Sequence, residues 1–176
     1  MEETPFISFI IPVYKVPTEM LCECLDSIIR LSLRKSEREI IVVDDGSQVS
    51  PLGALNNCLD DIIYIRQKNG GLGCARNRGL QNATGQYIQF VYADDALITN
   101  QYEHCLDIAR FKGPDMVMFE FSRQDQTQKV YADQKVATGR YLLRHQNSKA
   151  TACGYLFKAT ILGNLRFTTG IYHEDE

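Results

Sequence analysis

"EIIVVDDGS", residues 39–47, runs four β-branched apolar residues together and then stops on two acids, a glycine and a serine. A continuous apolar run leaves no polar face for water. A strand made from it is covered on both sides, which is the habit of parallel sheets. The same pattern recurs in "FISFIIP" (6–12, stopped by Pro12), "DIIYIRQ" (61–67), "GQYIQFVYADD" (85–95) and "DMVMFEF" (115–121).

Amphipathic segments lie between these runs. Residues 18–35 carry an apolar stripe of Leu21, Leu25, Ile28 and Ile29, with Thr18 placed to cap the helix. A weaker helix is expected over 51–59. Residues 71–84 read as helical behind a glycine-rich entrance, and 100–112 read as a helix that starts near Asn100 and stops at Gly113-Pro114. Strand and helix alternate five strands deep. The fold class predicted is α/β, with a mostly parallel central sheet and helices on both faces. After residue 122 the pattern weakens: 122–134 read as a polar loop or hairpin, and "GRYLLRHQ" (139–146) as a short helix.

The 176 residues suit one domain. A net charge of −3 argues against nucleic acid as a partner. No apolar run reaches the roughly 20 residues that span a bilayer, and "MEETPFISFIIP" is acidic and strand-like, unlike a signal peptide. Six cysteines, at 22, 24, 58, 74, 105 and 153, show no zinc spacing and are expected as reduced thiols.

Ligands of open parallel sheets sit at the carboxyl ends of the strands. There this chain gathers Pro12-Val13-Tyr14, Asp44-Asp45-Gly46-Ser47, Asn69-Gly70-Gly71 and Asp94-Asp95. Any one of these groups fits an ordinary turn. Two acids at the mouth of one crevice repel each other unless something compensates, and a hard divalent cation such as Mg²⁺ or Mn²⁺, sharing its shell with a diphosphate, does so. Arg76 and Arg78 follow the glycines as donors or as solvated surface. "NGGLGCARNRG" fails the dinucleotide fingerprint, because Arg76 stands where its third glycine belongs, and no P-loop occurs. His104, His145 and His173 are scattered.

In their order and spacing, "ISFIIPVYK", "EIIVVDDGS", "NGGLGCARNRGL", "GQYIQFVYADD" and the terminal "LRFTTGIYHEDE" resemble the family-2 glycosyltransferases of GT-A fold. The resemblance covers about residues 6–122 and 151–176. It implies a nucleotide-sugar donor, UDP-linked by preference, a glycan or lipid-linked acceptor, and Mn²⁺ or Mg²⁺. Pro12 and Tyr14 match positions lining the nucleobase and ribose. Asp45 matches the acid at the base edge, and Arg76 a basic residue near the nucleotide. Asp94 and Asp95 match the end of the metal motif, and Asp175 the general base of an inverting displacement. A cytoplasmic location follows from where nucleotide-sugars are made, with membrane contact only through further chain. The resemblance also implies that 1–176 is one GT-A domain, the amino-terminal catalytic part of a longer protein.

Two positions depart from the family pattern. Tyr92 stands where the first acid of the metal motif usually falls. Lys15 follows Tyr14 where asparagine is common, adding a charge near the diphosphate or pointing to solvent. The competing readings are a catalytically silent nucleotide-sugar binder and a sugar-1-phosphate nucleotidyltransferase. The latter wants a glycine-rich basic loop after the first strand, which "PVYKVP" lacks.

Overall fold

The computed structural model describes residues 4–122, 136–145 and 151–171. The strands are β1 (Ile7–Val13), β2 (Arg38–Asp44), β3 (Ile63–Arg66), β4 (Tyr87–Phe90), β5 (Met116–Met118) and β6 (Tyr155–Lys158). The helices are α1 (Thr18–Ile29), α2 (Leu72–Asn82), α3 (Thr99–Lys112), α4 (Gly139–His145) and α5 (Ala159–Leu162). They build one six-stranded sheet in the order β3-β2-β1-β4-β6-β5. The first four strands pair in parallel, and β6 runs antiparallel between β4 and β5. The expected α/β class and mostly parallel sheet are therefore what the chain adopts.

The apolar runs are continuous because the sheet is covered on both faces. Ile7, Phe9, Ile11 and Val13 of β1 join Leu21, Leu25 and Ile28 of α1 and Leu106 of α3 in one core. Ile10 faces the other way, with Ile41, Val43, Ala75, Ile88 and Phe90. The period-2 alternation of a strand sorts neighbours in sequence into two cores.

Four local expectations are revised. Pro17, not Thr18, is the residue before the first turn of α1, and no side chain caps that end. The helix expected over 51–59 is two single turns of 3₁₀ helix, Pro51–Ala54 and Leu59–Asp61; Pro51 starts the first turn at its N1 position, and Gly53 weakens its continuation. The strand expected over 115–121 is shortened to Met116–Met118, and β6 has no counterpart among the expected strands. Pro12 does not stop β1, which continues to Val13. Gly113 ends α3 as expected, in a left-handed cap. The polar segment 123–135 lies outside the described residues, as does the end of the chain from 172. No helix among the described residues is long and apolar enough to cross a membrane. All six cysteines are free thiols.

Pro12 sits where one ladder of the sheet ends. Backbone bonds from Val91 N–H to Ile10 O and from Tyr87 N–H to Phe6 O show that even-numbered residues of β1 face β4. The β1–β4 ladder ends at Ile10↔Phe90, whereas the β1–β2 ladder continues to Val13↔Asp44. The N–H that proline lacks would point into the space where β4 has already left. Proline, normally excluded from central strands, is tolerated at that one place.

Helix α2 approaches the sheet closely over β1. A Cβ added to Gly79 would overlap the side chain of Ile10, which is fully buried. Gly79→Ala is therefore expected to destabilise by about 1–3 kcal/mol through overpacking, because the gain in helix propensity, about 1 kcal/mol, is smaller. Denaturant unfolding of the two proteins checks this; equal midpoints would show that α2 can lift off the sheet without cost.

Candidate functional site

The parallel ladder brings the carboxyl ends of β1, β2, β3 and β4 to one edge. Between β1 and β4 the chain order reverses, so the edge has a switch point where ligand crevices form. Pro12 lies there, half-buried, and Tyr14 follows it at 44% exposure. Asp94 and Asp95 lie across the same gap, on the turn that leaves β4.

The acids at this edge fall into two kinds. Asp44 is fully buried, and both its oxygens are occupied. Oδ1 accepts the Ser47 N–H at 2.8 Å; Oδ2 accepts the Tyr64 hydroxyl at 2.7 Å and lies 3.4 Å from Arg66 Nε. Asp45 is 3% exposed. Its carboxylate accepts Gln67 Nε2 at 2.7 Å, Gly70 N–H at 3.0 Å and Gly71 N–H at 2.8 Å, and its carbonyl accepts Asn69 Nδ2 at 3.0 Å. These acids are the framework of the β2 and β3 turns. Between them Gly46 sits at φ +77°, where an added Cβ would come within 2.8 Å of the Asn69 nitrogen, so only glycine lets the two turns meet.

Asp94 and Asp95 are the other kind. Both are exposed. Partial burial, and then the neighbouring Asp94 charge, push the Asp95 carboxyl above its ordinary value. The turn itself is rigidly held. Asp95 N–H donates to Tyr92 O at 3.1 Å, Cys24 Sγ reaches the same carbonyl at 3.5 Å, and Leu97 N–H donates to Ser27 Oγ at 3.0 Å. Helix α1 thus grips the turn from beneath. Burial first, then the two aspartates, push the Cys24 thiol up to about 12, so it stays a protonated S–H donor at neutral pH. An exposed pair of carboxylates on a braced turn is an oxygen-donor set that fits a hard divalent cation with open positions for a second ligand. No group of three or more ligating side chains forms among the described residues.

Arg76, which the resemblance matches to a basic residue near the nucleotide, lies in the core rather than on the surface. It is fully buried, with its guanidinium carbon 5.0 Å from the centre of the Phe167 ring, 5.7 Å from Tyr92 and 5.9 Å from Phe90. Its position on α2 turns it toward the core that also holds Cys153, 3.9 Å away. Tyr92, where an acid was expected, lies over that guanidinium, its hydroxyl 3.4 Å from that of Thr151. The resemblance resumes at 151, but sequence reading gave residues 151–154 no place at the site. This segment arrives at the ligand edge because β6 is antiparallel, and Gln89 Nε2 fixes it by donating to Cys153 O at 3.0 Å. Only the brevity of "YLFK" after a polar stretch marked it. Asp175 lies outside the described residues.

The loop role of Asp45 gives a direct expectation. Asp45→Ala removes the acceptor from Gln67 and from two backbone N–H groups, which water then meets only in part. A loss of about 1.5–3 kcal/mol follows, with faster amide exchange at Gly70 and Gly71. Unchanged exchange there would show that the β3 turn is held by other means.

The comparisons with known proteins agree with this geometry. The model of glycosyl transferase family 2 matches residues 8–164. Glycosyltransferase GlyA of Streptococcus pneumoniae is 34% identical over 96% of this chain, which spans 27% of that protein. The uncharacterized glycosyltransferase EpsJ of Bacillus subtilis is 32% identical over 80% of the chain and 41% of its own length. The chain therefore spans less than half of these relatives. Among solved structures, S. aureus TarS 1–349 in complex with UDP superposes with a TM-score of 0.75 at 20% identity, covering 96% of this chain and 52% of that one. The Pyrobaculum calidifontis mannosyltransferase PcManGT, in complex with GDP-Man and Mn²⁺, gives a TM-score of 0.71 at 20% identity, covering 98% and 50%. The likeness to these two is one of fold, that of the GT-A glycosyltransferases. With a family model matched from the first strand to α5, the chain belongs to glycosyl transferase family 2.

Proposed function

We propose that this domain binds a nucleotide-diphosphate sugar, UDP-linked by preference, and serves an inverting transfer of the sugar to a glycan or lipid-linked acceptor. The observation that carries the reading is the exposed Asp94-Asp95 pair, fixed on its turn across the β1–β4 gap from Pro12 and Tyr14. Pro12 and Tyr14 would border the nucleobase and ribose. Asp94 and Asp95 would hold Mn²⁺ or Mg²⁺, which supplies positive charge to the leaving diphosphate. The likeness to GlyA, TarS and PcManGT supports a glycosyltransferase with a nucleotide or nucleotide-sugar ligand, and PcManGT supports a divalent metal.

Asp45 and Arg76 enter this reading from beneath the surface. Asp45 sets the wall on the β3 side by holding the Gly70–Gly71 turn, which brings the base edge near its carboxylate. Arg76 supports Tyr92 and hence the turn bearing the metal pair, and acts on the nucleotide through that turn. Asp175, six residues past Thr169, is assigned the general base on the strength of the resemblance. It would take the acceptor hydroxyl's proton as the oxygen attacks the anomeric carbon opposite the diphosphate. The unit is one GT-A domain, placed by its donor's chemistry in the cytoplasm. Tyr92 in place of an acid favours a second reading, a silent nucleotide-sugar binder; Asp175→Asn in a full-length protein would leave function intact under that reading alone.

Calorimetric titration with UDP, GDP, CDP and ADP, each with Mn²⁺ and with EDTA, tests the donor site. UDP should bind tightest, and its affinity should fall by more than about tenfold with EDTA or with Asp95→Ala, since loss of a direct ligand costs at least what loss of a supporting one does. Equal binding with and without metal would remove the cation from the account. Absence of binding by all four nucleotides would remove the donor site.

A further inference from the structure

Lys15 is the one residue other than glycine with a left-handed backbone among those described, at φ +55°. Asparagine, aspartate and glycine adopt that conformation readily; a lysine does so at a cost. The surroundings hold it there. Its N–H donates to Ser47 Oγ at 3.3 Å, and Ser47 is itself 5% exposed and tied to Asp44. On the other side of Tyr14, Val13 O accepts the Asp45 N–H at 2.8 Å. The end of β2 therefore clasps the β1 turn on both sides of Tyr14.

The left-handed turn has a geometric result. Neighbouring side chains in an extended chain point to opposite faces and do not meet. Here the reversal at Lys15 folds its side chain back, and its Nζ stands 4.9 Å from the centre of the Tyr14 ring. One face of a partly exposed ring at the ligand edge is thus covered by an ammonium group. A cation over one face fixes the ring's orientation and leaves the opposite face for a flat partner.

We propose that Lys15 is a positioning residue for the donor: it clamps the Tyr14 ring as a preformed platform for the nucleobase. The proposal rests on the donor-site reading above. It takes Lys15 neither to the diphosphate nor to bulk solvent. The strained turn is held because it places the cation on the ring.

A double-mutant cycle on UDP binding separates these roles. Lys15→Asn keeps a residue that accepts the left-handed turn, so its Tm should not fall. Its UDP affinity should weaken by about two- to five-fold, the size of an exposed cation–π contact. In a Tyr14→Leu background, where no ring remains to clamp, Lys15→Asn should cost nothing more. Lys15→Arg, whose guanidinium also covers a ring face, should restore binding. An unchanged affinity in Lys15→Asn overturns the proposal and leaves the donor site standing. The same loss with and without Tyr14 overturns it in favour of a direct phosphate contact. If the unsubstituted protein binds no UDP, the donor site and the clamp fall together.

Discussion

Everything at the ligand edge depends on one break in a hydrogen-bond ladder. β1 and β4 stay paired through Ile10 and Phe90 and then part, while β1 and β2 stay paired to Val13 and Asp44. Pro12 makes the parting permanent, because it has no N–H with which to continue toward β4. The gap is thus written into the backbone. Tyr14 and Lys15 issue from one wall, Asp94 and Asp95 from the other, and the rest of the fold keeps those walls apart.

Charge divides the work among the acids. Asp44 and Asp45 are spent inside the protein, on a hydroxyl, an arginine, a glutamine and backbone N–H groups. They convert two strand ends into stiff turns. Asp94 and Asp95 are left side by side at the surface, and partial burial, with the Asp94 charge second, raises the Asp95 carboxyl above its ordinary value. Repulsion retained on a braced turn is a feature that a cation would relieve, and it sets this pair apart from the two occupied acids of the β2 turn.

The alternation of strand and helix was legible in the sequence because burial on both faces leaves unbroken apolar runs, and "EIIVVDDGS" and "GQYIQFVYADD" carry that signal plainly. β6 was not legible. It is four residues long, and an antiparallel strand inserted between β4 and β5 is set by tertiary pairing rather than by local pattern. The acids could be located from sequence but not sorted: Ser47 N–H within "DDGS" meets one oxygen of Asp44, but the other partners, Tyr64, Gln67, Gly70 and Gly71, come from a later strand and turn. The burial of Arg76 was hidden for a similar reason. A cation on this helix reads as surface or as a phosphate donor, and the convergence of Phe90, Tyr92 and Phe167 on its guanidinium comes from distant parts of the chain.

The central claim is that the β1–β4 gap holds a nucleotide with a cation at Asp94-Asp95. Amide-resolved NMR in the presence of UDP, with Mn²⁺ added in small steps, tests it most directly, because the ion broadens only signals near it. The account predicts that the amides of 92–97 vanish first, followed by those around Tyr14 and Lys15, while those of β5 and the far ends of the strands persist. Broadening centred on another acidic site, such as Asp60-Asp61, or spread evenly over the surface, would contradict it.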